Sequence, residues 1–304
     1  MKKQWAVMMA TVLISGMVAG CGGKQEAPAE STTAKAETTA AETESTKAEE
    51  ETTKVETEEA AGEQTELIVF AAASMTETLT EIADMYEEIN PNVKIVYTFD
   101  SSGTLKTQIQ EGADCDIFIS AAQKQMNQLD STADPSVNTE GLDFVLQGTR
   151  FNLVENKVVL AVPDDNPADI QNYEDLGTDK LSLICLGNDD VPVGAYSTEI
   201  LTNLGIMEKL ESESKITYGS NVKEVTTQVK EASVDCGIIY ATDAFSAELT
   251  VVDEAEEGQC AQVIYPAAVL NISQNQEEAQ TFLDFLTTDE CAKVFESVGF
   301  SMAQ

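Results

Sequence analysis

The 304-residue sequence contains no histidine and a single arginine, Arg150. Without an imidazole, a Ser/His/Asp or Cys/His nucleophilic site has no base of the usual kind, and conventional hydrolase chemistry of that type is excluded. Cations are scarce in general. Lysine and arginine number 17 against 54 aspartates and glutamates, a balance that rules out a nucleic-acid backbone or an anionic lipid surface as the main partner. The six cysteines include no CxxC pair, which removes zinc-ribbon and thioredoxin-type motifs. The uncharged apolar run at residues 5–17 is too short to anchor the chain across a bilayer. A carboxylate pair acting as acid and base stays open on composition alone, although no spacing singles one out.

What is present falls into three unlike segments. Lys2 and Lys3 precede the apolar run, and Val18-Ala19-Gly20-Cys21 follows it, the layout of an export signal. Those last four residues resemble the lipobox of bacterial lipoproteins. The resemblance implies cleavage before Cys21 and lipidation on it, with the mature chain at the outer face of the cell membrane. An ordinary signal peptide with a chance cysteine is the alternative. Residues 22–65 are nearly all Glu, Thr, Ala, Lys and Ser, with no aromatic residue. Such a stretch cannot bury enough apolar surface to offset the entropy of ordering it, and it is expected to be a disordered tether.

From Leu67 onward apolar runs alternate with amphipathic helical patterns, the rhythm of an α/β protein with a mainly parallel sheet. Strands are expected at 67–72, 93–99 and 116–120. Leu79, Ile82, Ala83, Tyr86 and Ile89 mark a helix that Asn90-Pro91 stops, and a second helix over 105–111 closes at Gly112. These make a first lobe, residues 66–148. A second lobe, 149–262, is expected from strands at 158–162, 181–185 and 236–240 and helices at 196–204 and 222–231. Residues 263–304, a strand and two helices, are expected to return to the first lobe. Cys115, Cys185 and Cys236 lie in or beside apolar strands and read as small buried hydrophobes, with one disulfide left open.

Chemistry is concentrated where strands end in polar or glycine-containing turns that open helices. Ser74 follows the first strand, and Ser101-Ser102-Gly103-Thr104 follows the second. Each serine can serve as a helix cap and nothing more. Repetition favours a ligand, because helix N-termini present unpaired N–H groups and a positive dipole end, and anions bind there at the carboxyl edge of a parallel sheet. Val191-Pro192-Val193-Gly194-Ala195-Tyr196 and Gly219-Ser220-Asn221-Val222 supply similar turns in the second lobe, and Tyr240 ends a strand with a phenolic O–H. Together they predict a cleft between lobes.

The carriers of a wider resemblance are Val69-Phe70-Ala71-Ala72-Ala73-Ser74, Phe99-Asp100-Ser101-Ser102-Gly103-Thr104-Leu105 and Ala113-Asp114-Cys115-Asp116-Ile117-Phe118-Ile119-Ser120-Ala121. The valine-proline turn at 191–196, Gly237-Ile238-Ile239-Tyr240-Ala241-Thr242-Asp243-Ala244 and Tyr265-Pro266 complete the set. In this order and spacing, over nearly all of residues 67–300, the chain resembles the molybdate-binding proteins of ATP-driven importers. That resemblance implies a two-lobed type II periplasmic-binding fold with the ligand between lobes. It implies no enzyme activity and no cofactor. Molybdate or tungstate would be held by Ser74, Ser102, the N–H groups of Val193 and Val222, and Tyr240, with no bare metal ion. The implied partners are an ABC permease and its ATPase, the chain itself being a monomer. Val193 stands where the family often has alanine, and Ser220 where an acidic residue is common. Asp100, beside the serine turn, would repel a fully deprotonated dianion and accept a proton from hydrogen phosphate if it faced the pocket. The rival readings are a binding protein for sulfate, phosphate or another small oxyanion, a lipid-anchored hydrolase using a carboxylate pair, and a receptor signalling occupancy to a membrane partner.

Overall fold

The computed structural model describes residues 64–303. The export signal, Cys21 and all but the last two residues of the tether lie outside the described residues. The first strand, β1 (Thr65–Ala72), is apolar on both faces over its second half because it is covered on both sides. A single 3-10 turn at Ala73–Met75 leads into α1 (Thr76–Ile89), which buries Leu79, Ile82, Ala83 and Tyr86 at helical spacing. Next come β2 (Val93–Asp100), α2 (Ser102–Gln110), β3 (Ile117–Ile119) and α3 (Gln123–Leu129). The middle of the chain holds β4 (Phe151–Asn156), β5 (Val158–Val162), β6 (Ile184–Gly187), α4 (Pro192–Asn203), α5 (Met207–Ser212), β7 (Ile216–Gly219) and α6 (Val222–Lys230). β8 (Cys236–Tyr240), α7 (Ala241–Ser246), β9 (Thr250–Glu254), β10 (Val263–Val269), α8 (Gln276–Phe285), α9 (Asp289–Ser297) and β11 (Ser301–Met302) follow.

Two sheets organise these elements, one in the order β11-β4-β10-β3-β1-β2 and one in the order β7-β6-β8-β5-β9. Only part of each is parallel. β1 pairs in parallel with β2 and β3, and β6 with β7 and β8, whereas β10 runs antiparallel to β3 and β4, and β5 antiparallel to β8 and β9. The expectation of a mainly parallel sheet is corrected accordingly. The strands that flank the passages between sheets, β4, β5, β9 and β10, each pair antiparallel with a neighbour. The chain leaves the first sheet at Asn156, enters the second at Val158, and returns between Glu254 and Val263. A strand arriving from the other sheet enters without a crossover helix, so no rule forces it to run parallel. A boundary at residue 149 places β4 in the second lobe, but β4 pairs with β10 and β11 in the first sheet, and the crossover falls at Lys157.

The five described cysteines are free, and four of them are buried: Cys115, Cys185, Cys236 and Cys291. Among the described residues no helix is long and apolar enough to cross a membrane, and no cluster of His, Cys, Asp and Glu is arranged to hold a metal ion.

Arg150 is a structural clamp. Its guanidinium donates to Asp130 Oδ2 at 2.7 Å, Gln123 Oε1 at 2.5 Å and Asn127 Oδ1 at 2.6 Å, tying α3 to the approach of β4. Burial pushes the Asp130 carboxyl up, but the Thr132 hydroxyl and N–H, Arg150 and Gln147 outweigh it and hold the group at about 2. Arg150→Met is expected to lower the stability of the chain by about 1–3 kcal/mol, the worth of hydrogen bonds to a charged group, in denaturant unfolding.

Candidate functional site

A small void lies where the carboxyl ends of strands from both sheets meet. Ala72, Ala73, Ser74, Asp100, Ser101, Ser102 and Ala121 line it from the first sheet, and Val191, Pro192, Val222 and Tyr240 from the second. Its volume is about 10 Å³, far below the roughly 300–1,000 Å³ of pockets that take drug-sized organic ligands. Larger hollows exist, one of about 380 Å³ beside Lys157 and one of about 400 Å³ beside Asp116. Neither gathers helix N-termini from both sheets, and the small void, which does, is the candidate site.

Each lining residue is placed by its local chain chemistry. Ser101 is the N-cap of α2 and its Oγ accepts the Thr104 N–H at 3.1 Å, which leaves the next residue, Ser102, free of the capping task. Ser102 is fully buried and its Oγ accepts the Ala121 N–H at 2.9 Å. With an acceptor site of that oxygen filled by an amide, its own O–H remains to be given to something in the void. Ser74 lies in the 3-10 turn after β1, and its Oγ is 2.9 Å from the hydroxyl of Tyr265 on β10.

In the second lobe, Pro192 is the first residue of α4, where a missing N–H costs nothing. Gly194 is required two residues later, because a Cβ there would lie 2.3 Å from the Gly187 carbonyl oxygen at the end of β6. Val193 sits between them, fully buried; the lining is formed by Val191 and Pro192, with Val193 one residue further inside the helix. Asn221 caps α6 by accepting the Glu224 N–H at 3.0 Å, while Glu224 accepts the Ser220 N–H at 2.7 Å and its hydroxyl at 2.8 Å. That reciprocal box closes the turn and presents Val222. First-turn N–H groups of α2, α4 and α6 lack acceptors within their own helices.

Tyr240 ends β8. Its ring packs edge-on against Tyr196 and Tyr265, with centroids 6.5 and 5.9 Å away, and its fully buried hydroxyl has no hydrogen-bond partner among the described residues. Burial pushes this phenol well above its ordinary range, with Tyr265 and Tyr196 adding to the effect. The Tyr240 and Tyr265 hydroxyls are close enough to perturb each other, but no aligned hydrogen bond joins them. A buried phenol that keeps its proton and gives it to nothing is a donor in search of an acceptor.

Four of the five positions implied by resemblance, Ser74, Ser102, Val222 and Tyr240, therefore border one void, and the fifth, Val193, adjoins it. Asp100 is also on the lining. Its Oδ1 accepts the Ser101 N–H at 2.7 Å and the Asn221 amide at 3.3 Å, which ties that oxygen to the rim. No Lys or Arg lines the void.

Contacts between the lobes surround the site. The Gly103 N–H donates to the Asp190 carbonyl at 3.0 Å. Lys223, next to Val222, reaches the Glu77 carboxylate of α1 at 2.7 and 2.8 Å and stands 3.0 Å from Asp243 Oδ1. Neither Asp243 oxygen accepts an aligned hydrogen bond, so that approach is a charge contact. Burial works against the Lys223 ammonium, but Asp243 and Glu77 outweigh it and raise its pKa. Burial likewise pushes the Asp243 carboxyl up to about 6, against the pull of Lys223. Sequence spacing gave no sign of Tyr265 as a neighbour of Ser74, 191 residues away, or of the Glu77–Lys223–Asp243 cluster, since both are made only by the fold.

Strands of both sheets thus end at a shared cleft whose lining holds hydroxyl side chains and helix N-termini and no Lys or Arg, in a two-lobed α/β fold. The chain belongs to the bacterial extracellular solute-binding proteins, whose family model matches residues 67–301. It is 33% identical over 241 residues to YvgL of Bacillus subtilis (strain 168), provisionally named an ABC transporter substrate-binding lipoprotein, covering 79% of this chain and 87% of that one. It is also 33% identical over 241 residues to the molybdate-binding protein ModA of Haemophilus influenzae, covering 78% and 90%. The periplasmic molybdate-binding protein of Azotobacter vinelandii has the same fold, with a TM-score of 0.67 at 22% identity over 78% of this chain and all of that one.

Two outcomes follow. A Cβ at Gly103 would lie 2.4 Å from the Asp190 carbonyl oxygen across the lobe boundary, so Gly103→Ala is expected to hold the lobes apart. Ligand affinity should fall about tenfold or more, from an overlap costing roughly 1–3 kcal/mol, with an unchanged far-ultraviolet circular dichroism spectrum. For Asp243 the folded pKa of about 6 lies above the ordinary 3.8, so the folded state takes up a proton first as pH falls. The contribution of this group to stability is then fully present below about 3.8 and is lost as pH rises through about 6. Asp243→Asn should remove that slope from the stability profile measured by denaturant unfolding across this window.

Proposed function

We propose that this chain captures molybdate or tungstate outside the cytoplasm and delivers it to an ABC permease driven by its ATPase. The anion is held by Ser74, Ser102, the N–H groups of Val193 and Val222, and Tyr240. The reading is that of a binding protein without turnover, acting as a monomer with residues 66–148 and 263–304 as one lobe and the intervening residues, less β4, as the other. It is anchored through lipid on Cys21 and a tether over residues 22–65.

The observation that carries this reading is the Tyr240 hydroxyl, fully buried, without a partner, on a void that Ser74 and Ser102 also border. A dianion supplies the missing acceptors, and preorganised neutral dipoles hold it without a cationic side chain. The likeness to molybdate-binding relatives supports the choice of anion, and the name of the Bacillus relative supports the lipid anchor. Lobes joined by two connections at Lys157 and 255–262 suit closure about a hinge. The presence of Asp100 on the lining is the one observation that favours a protonated oxyanion such as hydrogen phosphate. Against it stands the tie of Oδ1 to Ser101 and Asn221.

Thermal unfolding of the full chain with molybdate, tungstate, sulfate and phosphate separates these readings. Molybdate and tungstate at a hundredfold excess over Kd should raise the midpoint by about 5–10 °C, and sulfate and phosphate should not. Ser102→Ala and Tyr240→Phe should each weaken binding about tenfold, one buried hydrogen bond apiece. A rise with phosphate alone, or with none of the four, overturns the ligand assignment.

A further inference from the structure

Ser74 differs from the other hydroxyls of the site in that its partner outside the void is itself a hydroxyl, that of Tyr265, at 2.9 Å. Either oxygen can give or take the proton between them, and only one choice leaves the Ser74 proton for a ligand. The direction follows from the next link. The Lys157 N–H donates to Asn156 Oδ1 at 2.8 Å, which identifies the other end of that amide as the NH2 group, a donor with no acceptor capacity. This Nδ2 is 2.9 Å from Thr242 Oγ1 and 3.3 Å from the Tyr265 hydroxyl oxygen. Tyr265 thus receives a hydrogen bond from Asn156, and Ser74 Oγ is the acceptor available for its own proton. The reverse direction leaves the fully buried Tyr265 proton only the Tyr240 hydroxyl, with which it makes no aligned hydrogen bond, the costlier arrangement. Burial also pushes the Tyr265 phenol well above its ordinary range, so the proton is present at every physiological pH.

We propose that Asn156 and Tyr265 are positioning residues that fix the polarity of the Ser74 hydroxyl, compelling it to donate to the bound anion and biasing the site against oxyanions that carry a proton. The inference rests on the oxyanion-binding reading of the void. Tyr265 fills the acceptor side of Ser74 Oγ, and the Ser74 O–H turns to the void. Ser102 is polarised in the same sense by the Ala121 N–H, and Tyr240 gives its proton to no other group. Each serine then has one acceptor site filled from behind and its hydrogen left for a ligand, Tyr240 adds a proton that no other group takes, and the one carboxylate on the lining, Asp100, has its Oδ1 tied to Ser101 and Asn221. A fully deprotonated tetrahedral dianion satisfies all three donors, whereas a protonated one brings a further hydrogen and one acceptor oxygen fewer. The line of bonds also runs along the boundary between the sheets, since Asn156 ends β4, Tyr265 lies on β10 and Thr242 on α7.

The test compares the full-length wild type with Tyr265→Phe and Asn156→Asp by isothermal titration calorimetry near pH 7, using molybdate and inorganic phosphate as separate titrants. Asn156→Asp keeps the acceptor for the Lys157 N–H and places a second acceptor where the NH2 was. Tyr265 then donates to that carboxylate, and Ser74 donates to Tyr265 and presents its oxygen to the void. Molybdate affinity should fall about tenfold or more, the effect of one buried hydrogen bond. Phosphate affinity should hold or rise, or emerge where wild type shows none, so the molybdate-to-phosphate ratio falls by about the same factor. Tyr265→Phe frees Ser74 to rotate, and the ratio should fall several-fold; this variant keeps the ring, and it decides the matter if the aspartate variant fails to fold. A merely structural role lowers both anions in proportion and leaves the ratio unchanged. That result overturns the proposal, as does unchanged molybdate affinity in both variants or phosphate binding absent throughout. Wild-type protein that binds neither anion overturns the oxyanion reading itself, and this inference with it.

Discussion

The candidate site depends on a single backbone contact across the lobe boundary, the Gly103 N–H to the Asp190 carbonyl. Neither lobe encloses the void alone, since its lining divides between the turns after β1 and β2 and those after β6, β7 and β8. Only when the α2 turn and the loop before α4 touch do these groups face a common space. Two main chains can approach that closely only where one of them lacks a side chain, and Gly103 meets that condition. Around this contact stand longer-range ones, the Asn221 amide on Asp100 and Lys223 between Glu77 and Asp243. The last is a mixed contributor, because the buried Asp243 carboxylate carries a desolvation cost that one lysine shared with Glu77 offsets only in part.

The elements nearest the site were legible in the sequence because they are the most buried. β5 and β8 coincide with the apolar runs at 158–162 and 236–240, where every residue is inside. β7 and β9 were not read as strands, since both are exposed edge strands whose alternation is too weak to separate from loop. β4 was not read as a strand either, its apolar centre being only Leu153 and Val154, and periodicity says nothing about which sheet a strand joins. The turns at 74, 101–104, 191–196 and 219–222 were visible as polar breaks before helices, and resemblance attached residues to them. What no spacing reveals is the layer behind the site. Asn156, Tyr265 and Thr242 meet only because both passages between the sheets bring distant segments together.

An acidic chain with an anion site poses an electrostatic question that distance resolves. The excess of carboxylates repels a dianion from afar, but at physiological salt this field decays over about 8 Å. Inside the void the ligand meets N–H and O–H dipoles at contact, where little solvent remains to screen them. A cation in the lining would bind any anion strongly and discriminate poorly. The one arginine is instead committed to Asp130, Gln123 and Asn127 beside β4. Lys223, adjacent in sequence to the lining residue Val222, is turned to Glu77 and Asp243.

Selectivity against a protonated oxyanion of the same charge, such as hydrogen phosphate, comes from the direction of the hydrogen bonds the site offers. A hydroxyl is the least decisive donor for this purpose, since it accepts as readily as it gives. The fold narrows that ambiguity by filling one acceptor site of each serine from behind: Ser102 from the Ala121 amide, which cannot turn around, and Ser74 from Tyr265. Tyr265 is itself a hydroxyl and would pass the ambiguity on, were it not held by an amide whose orientation the Lys157 N–H fixes. The chain of constraints thus ends on backbone at the passage between the sheets. A residue far from the ligand in sequence, contributing nothing to the lining, decides which proton the ligand is offered.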